Sequence, residues 1–171
     1  MPGRSLAEAQ LDALFDASPT GLGFWDTELR YVRVNEALAR VNGLPVEAHI
    51  GRRTDELLPE MGGYIAEVLS DVLRTGVARV DVEERGITPA EPGVEHDWLC
   101  SYFPVANALG ELIGVGAVVT DITARKAAER ELAAANGRAD SLARASQVLA
   151  ASLDLRETLD HIAALIVPEL A

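Results

Sequence analysis

Cysteine and lysine are almost absent from this chain of 171 residues, which has one of each, Cys100 and Lys126. A single cysteine cannot form an internal disulfide, and it excludes the zinc sites and iron–sulfur clusters that need several thiolates. Long apolar runs are also missing, since none approaches the ~18 residues that a membrane-spanning helix needs. The N-terminal sequence MPGRSLAEAQ has no signal-peptide pattern. The sequence therefore predicts a cytoplasmic protein.

Positive charge is scarce as well. There are 15 Lys and Arg residues against 27 Asp and Glu, which gives a net charge of −12. Because such a surface repels phosphate backbones and anionic lipid, we expect neither nucleic acid nor a membrane among the partners. The proportion of residues that can form a core is normal, since 49% of the residues are hydrophobic and 25% are charged. That balance and the length are typical of one folded domain plus some additional chain.

The first part of the chain predicts one helix and then a β-hairpin. Residues 1–17 have apolar side chains at helical spacing, and Ser18-Pro19 ends the helix because a residue before proline disfavours helical geometry. Two β-rich runs follow, 21–25 and 30–34, and Asp26 to Leu29 form the turn between them.

Helices are predicted next, and three strands after them. Asn35 suits the N-cap of a helix that Gly43 ends, Thr54 is a candidate cap for a short turn, and residues 63–74 have helical periodicity up to Gly76. The strongest strand signals are residues 77–85, 95–105 and 111–121. This order of strands and helices predicts an α+β domain, with an antiparallel sheet covered on one face.

Residues 122–153 predict a long helix with an apolar seam at heptad spacing. We interpret the helix as one strand of a parallel dimeric coiled coil, and a helix folded back on its own domain is the alternative. Asn136-Gly137 predicts a bend or break. The seam positions are Ala128, Leu132, Ala135, Ala139, Leu142, Ser146, Leu149 and Leu153.

The middle of the chain resembles a PAS domain from about residue 10 to 130. The last strand ends in Asp121-Ile122-Thr123, a triplet with which PAS domains of this type lead into a signalling helix, and Thr123 can cap that helix. The resemblance implies a five-stranded antiparallel sheet with helices on one face and a long helical linker behind it. The other segments that carry it are 18–26, 30–47, 51–60, 98–104 and 110–119.

Residues 141–171 resemble the opening of a GAF domain, with a helix, the segment SLDLRETL and a second helix ending at a proline. The resemblances together imply the input end of a bacterial signalling protein, whose output domain is a phosphatase or a histidine kinase outside this chain. The predicted division is an N-terminal helix (1–17), the PAS domain (18–121), a signalling helix or coiled coil (122–153) and the start of a GAF domain (154–171).

PAS domains hold ligands between the inner face of the sheet and the inserted helices. Strand alternation places Trp98, Cys100 and Tyr102 on one face, and the resemblance implies that this face points inward. Trp25 and Val119 join it, with Val115 and Ala117, whereas Leu99, Ser101 and Phe103 form an outer face that we expect to be covered. The predicted ligand-binding residues are Trp25, Trp98, Cys100, Tyr102 and Val119, and the alternative is that these side chains only fill the core.

The residue types argue against several classes of cofactor but do not identify one. A covalent flavin photosensor needs a cysteine where this chain has GRRTDELLP, and a chromophore of the photoactive-yellow kind needs one in the helical region. Haem-binding PAS domains use a histidine on or beside the long helix, but residues 63–76 contain none, and His49 and His96 lie elsewhere. The cofactor is therefore unknown, with a non-covalent flavin or a small apolar ligand such as a fatty acid as candidates.

Catalysis and metal binding find little support. His96, Asp97 and Ser101 suggest a triad, but neighbours on one strand point to opposite faces. The acidic residues between 81 and 97 are read as a solvated hairpin surface. We therefore predict a non-enzymatic PAS sensor or dimerisation module, a homodimer through residues 122–153 and the N-terminal helix, with a small apolar ligand as a candidate partner. The alternative is a ligand-free, constitutive interaction module.

Overall fold

A computed structural model describes the backbone of residues 6–166 and the side chains of residues 6–150 and of Arg156. The chain divides into two units, one that runs to Ala124 and one that starts at Arg125. The first contains all of the sheet, and the second is helical as far as residue 166.

A single five-stranded antiparallel sheet forms the first unit, as the α+β prediction requires. The strands follow one another in space in the order β2-β1-β5-β4-β3, so the first and last strands along the chain lie side by side in the middle. All five occur where alternation and turn residues predicted them. Their bounds are β1 Gly21–Trp25, β2 Tyr31–Val34, β3 Arg79–Gly86, β4 His96–Ala106 and β5 Leu112–Asp121.

Helices precede the sheet and fill the connection between β2 and β3. The predicted helices near residues 6–17, 36–42 and 63–74 are confirmed, whereas one short helix was not predicted. Thr54 is not the cap of its helix but its first residue, and Arg53 holds the cap position. The bounds are α1 Leu6–Ala17, α2 Glu36–Asn42, the unpredicted α3 Val46–His49, α4 Thr54–Leu57 and α5 Gly62–Thr75.

Asn35 connects three elements, because its side-chain amide both accepts and donates hydrogen bonds. Its Oδ1 accepts from the backbone N–H of Leu38 at 3.0 Å, which caps α2, and from that of Leu22 at 2.9 Å on β1. Its Nδ2 donates to the carbonyl of Phe15 at 3.1 Å at the end of α1. The predicted N-cap is thus confirmed, and it also fixes the entry into the sheet.

The core lies between the sheet and α2, α4 and α5. Leu69 and Val72 of α5 and Val115 of β5 are completely buried there. On the opposite face of the sheet, the expectation of a covered surface is wrong for Phe103, which is 40% exposed. Its ring instead lies over Gly116, where a Cβ would come within 2.4 Å of it.

The last helix, α6, extends over Thr123–Ile166 and forms the described part of the second unit from Arg125 onward. It passes through Asn136-Gly137 without interruption, so the predicted bend or break there is wrong; one glycine in a helix interior costs only about 1 kcal/mol. The seam residues Leu132, Leu142 and Leu149 are exposed. No helix within residues 6–166 is long and apolar enough to cross a bilayer.

Candidate ligand cavity

A small cavity lies between the inner face of the sheet and the inserted helices. Its free volume is about 30 Å³, enough for one or two water molecules. Most of its wall is apolar or aromatic, with a few polar groups among these side chains. The lining residues are Trp25, Tyr31, Leu38, Val41, Asn42, Leu58, Met61, Ile65, Glu84, Thr88, Trp98, Cys100, Tyr102 and Val119.

The five residues predicted as ligand-binding all line this cavity. Trp98, Cys100 and Tyr102 alternate along β4, and each is buried. Cys100 lies opposite Val119 of β5 in the sheet register, while Trp25 comes from β1. The structure thus brings the five together, and their binding of a ligand stays a prediction.

Trp25 is held in place by a hydrogen bond that sequence reasoning missed. Its indole Nε1 donates to the hydroxyl of Thr54 at 3.0 Å, and both residues are buried. The ring also packs against Tyr31, with 4.6 Å between the ring centroids. Because the donor is satisfied, the aromatic face can line an apolar cavity without an unpaired polar atom.

A buried polar network adjoins this wall. The Nδ1 of His49 lies 2.9 Å from the carbonyl oxygen of Pro45, which can only accept, so Nδ1 carries the proton. Its Nε2 then accepts from Asn42 Nδ2 at 3.0 Å, and Asn42 also donates to the Tyr31 hydroxyl at 3.4 Å. Burial lowers the pKa of His49 and raises the pKa of Tyr31 to about 12, so both side chains are neutral. His49 therefore supports the fold as a satisfied neutral imidazole.

Glu84 also lines the cavity, and it corrects the interpretation of the acidic run as solvated surface. The residue is only 6% exposed, and Asp97 from the same run is buried too. The Tyr102 hydroxyl lies 3.0 and 3.1 Å from the two carboxyl oxygens of Glu84. Burial raises the pKa of Glu84. Glu84 pairs with Trp98 in the register of β3 and β4, and no sequence signal reveals that position before the register is known.

Cys100 is not a reactive group in this environment. It is buried among the cavity side chains, and its burial raises the pKa of the thiol far above the ordinary value. Because the thiolate is the nucleophile and metal ligand, burial disfavours the reactive form, and the neutral thiol forms part of the cavity wall.

A chain of contacts leads from the cavity to the end of the sheet. Trp98 lines the cavity, and its ring stacks on His96 with 5.8 Å between centroids. The Nδ1 of His96 lies 3.4 Å from the Thr123 hydroxyl, which also accepts from the backbone N–H of Asp97 at 3.0 Å. Asp121 accepts from the backbone N–H of Thr123 at 2.8 Å. The predicted Asp121-Ile122-Thr123 junction is therefore in contact with a residue adjoining the cavity wall.

The sequence model of the PAS fold matches residues 15–127, whereas a search of curated proteins found no match. Among solved structures, the PAS domain of BvgS from Bordetella pertussis is 22% identical with a TM-score of 0.60, over 75% of this chain and 98% of that one. An RNA-binding light-oxygen-voltage receptor is 18% identical with a TM-score of 0.63, over 80% and 40%. These likenesses establish the fold.

A third solved structure is the complex of VqmA from Vibrio cholera with ligand and DNA. It is 24% identical with a TM-score of 0.59, over 67% of this chain and 51% of that one, so the chain spans about half the length of VqmA. The predicted set of partners, a homodimer with a small apolar ligand and without nucleic acid or a membrane, is therefore wrong in excluding nucleic acid. A receptor with this fold occurs in a DNA complex. The net charge of one segment therefore does not predict what the other domains of such a receptor bind.

The matched residues 15–127 contain the entire sheet, the inserted helices and the cavity between them. PAS domains are typically sensory modules. The chain belongs to the PAS family of sensor and signalling domains.

Proposed function

We propose that this chain is a non-catalytic sensor module that holds a small molecule in the cavity and transmits its occupancy through α6 to an output domain outside the chain. The observation that carries the proposal is the contact chain from Trp98 through His96 to Thr123. It connects a cavity residue with the first residue of the long helix.

The small size of the cavity supplies the mechanism. A free volume of about 30 Å³ is well below the ~300 Å³ or more of a typical ligand pocket. A ligand therefore has to displace side chains, and the flexible Met61 is well suited to move. Displacement of Trp98 then alters its stacking on His96 and shifts the population of arrangements at Thr123.

The wider context of the sensor is part of the same proposal. The segment 154–171 would begin a GAF domain, and its last five residues lie outside the described part of the chain. A phosphatase or histidine kinase would be the output, and the relation to VqmA adds a DNA-binding output as a further class. The cytoplasmic location remains a prediction from sequence.

Retained ligand is the first test. Native mass spectrometry and an absorption spectrum of the purified protein show whether a small molecule or a flavin is carried along. Riboflavin, decanoate and choline are then titrated as probes of the flavin, fatty-acid and cationic classes. Binding of any one of them supports a sensor, whereas no retained molecule and no binding favours a ligand-free interaction module with a filled core.

Transmission is the second test, and it uses a matched pair of threonines. Thr123→Val removes the hydroxyl that contacts His96 and Asp97, while Thr120→Val changes an exposed threonine of β5. We expect ligand to change amide hydrogen exchange over residues 125–150 in the parent protein and in Thr120→Val, but not in Thr123→Val. Identical exchange with and without saturating ligand in the parent protein would contradict transmission through α6.

A further inference from the structure

We infer that the cavity takes a small organic cation, a protonated amine or a quaternary ammonium group, paired with Glu84 and surrounded by aromatic rings. The inference rests on the proposed function, because it names the ligand class of the same cavity. It argues against the fatty-acid candidate, whose carboxylate would bring a second acidic group to this buried site.

The first argument is the carboxyl group itself. Glu84 is nine-tenths buried, and its hydrogen-bonding partners are two neutral groups, the Tyr102 hydroxyl and the Cys100 thiol. Among the described residues of the chain, no Lys, Arg or His forms an ion pair with Glu84, and none lines the cavity. A buried carboxylate without a counter-charge is unfavourable. A cationic ligand would provide the charge that the protein does not.

The second argument is the wall around the carboxyl group. The rings of Trp25, Tyr31, Trp98 and Tyr102 line the same cavity. Aromatic faces attract cations, and the attraction strengthens when the cation is removed from water. A neutral apolar ligand would gain contact with the rings but would leave the Glu84 carboxyl without a partner of opposite charge.

The third argument is the field of the molecule. With a net charge of −12, the chain attracts cations and repels anions at long range. The field and the composition of the cavity wall therefore favour the same ligand class.

The test compares cations with neutral molecules of the same shape. Choline is paired with 3,3-dimethylbutan-1-ol, and benzylamine with benzyl alcohol, in an amine-free buffer at about pH 8. Binding is followed by calorimetry and by tryptophan fluorescence, which is selective because both tryptophans of the chain line the cavity. We expect each cation to bind about ten-fold or more tightly than its neutral counterpart.

Glu84→Gln keeps the size of the side chain and removes its charge, and we expect it to reduce the preference for cations to about two-fold or less. Glu83→Gln is the matched control, because Glu83 is the exposed neighbour on the same strand, and it should keep the preference. If Glu84→Gln does not fold, the comparison of cations with neutral molecules in the parent protein still decides.

Equal affinity for cations and neutral counterparts, absence of cation binding, or an unchanged preference in Glu84→Gln would each overturn the inference. The proposed function fails differently. If riboflavin or decanoate binds and changes hydrogen exchange in α6 while the cations do not, the sensor stands and the cationic ligand does not.

Discussion

His49 is completely buried next to Pro45 and Asn42, and burial lowers its pKa below the ordinary 6.5. As the pH falls through 6.5, the unfolded chain takes up a proton at this position and the folded chain does not. The stability that neutral His49 provides is therefore present above pH 6.5 and is lost as the pH falls below it.

We expect the parent protein to lose stability relative to His49→Gln as the pH falls from about 8 to about 5, by at most about 1.4 kcal/mol per pH unit. Urea unfolding at several pH values measures the difference. Parallel pH profiles of the two proteins would contradict a neutral, buried imidazole.

Glu84 responds to pH in the opposite direction. Burial raises its pKa above the ordinary 4.5, so the folded protein retains this proton at a pH where the unfolded chain has released it. The associated stability is fully present below pH 4.5 and is lost as the pH rises through the folded-state pKa.

Between about pH 4 and pH 8, the free energy of unfolding of Glu84→Gln should therefore rise relative to that of the parent protein. Chemical denaturation of both proteins, with Glu83→Gln as the exposed control, measures this trend. A difference that does not change with pH would show that Glu84 ionises as readily in the fold as in the unfolded chain.

At the scale of single residues, alternation along β4 placed Trp98, Cys100 and Tyr102 on one face, and the resemblance to PAS domains indicated that this face points inward. Glu84 was missed because charged residues on a hairpin are normally solvated. The pairing of β3 with β4 that buries it becomes visible only in the sheet register. The hydrogen bond between Trp25 and Thr54 joins residues 29 positions apart, and no local pattern encodes such a pair.

At the scale of elements, the start of α5 depends on a close approach to α4. A Cβ on Gly62 would lie 2.4 Å from the carbonyl oxygen of Thr54 and 2.7 Å from the Cα of Asp55, whereas a Cβ on Gly63 would have no atom within 4 Å. Backbone atoms cannot move aside as a flexible side chain does. An added Cβ is therefore unfavourable at Gly62, whereas Gly63 has room for one.

We expect Gly62→Ala to destabilise the protein by about 1–3 kcal/mol. Gly63→Ala should leave the stability unchanged or raise it by up to about 1 kcal/mol, because alanine is the better helix former. Thermal unfolding of the pair measures both, and equal melting temperatures would contradict the close packing of α4 and α5.

The elements with a clear period were predictable, and one four-residue helix was not. The five strands and α5 follow from alternation and helical spacing, but α3 comprises only four residues, too few for any period to show. The predicted break at Asn136-Gly137 overestimated how strongly one glycine destabilises a helix, because the alanine-rich residues around it favour the helix.

At the scale of the whole molecule, every buried hydrophobic side chain among residues 6–150 belongs to the first unit. The buried hydrophobic residues lie between Trp25 and Ile122, before the boundary at Ala124. Removal of the chain after Ala124 should therefore leave a folded domain. We expect cooperative thermal unfolding within a few degrees of the full chain and the same tryptophan emission; a non-cooperative transition would show that α6 is needed for folding.

The family of the whole chain was predictable from the order of its segments, but its partners were not. Net charge describes the surface of the segment in hand, whereas partners of a signalling protein depend on domains that other segments supply. The relation to VqmA in a DNA complex illustrates the difference.

The burial of Cys100 also makes the chain convenient for site-specific labelling. Its single native thiol is buried and protonated, so maleimide reagents should react with an introduced surface cysteine far faster than with it. A nitroxide or dye can then be attached at any exposed position of the sheet or of α6 without first removing the native cysteine.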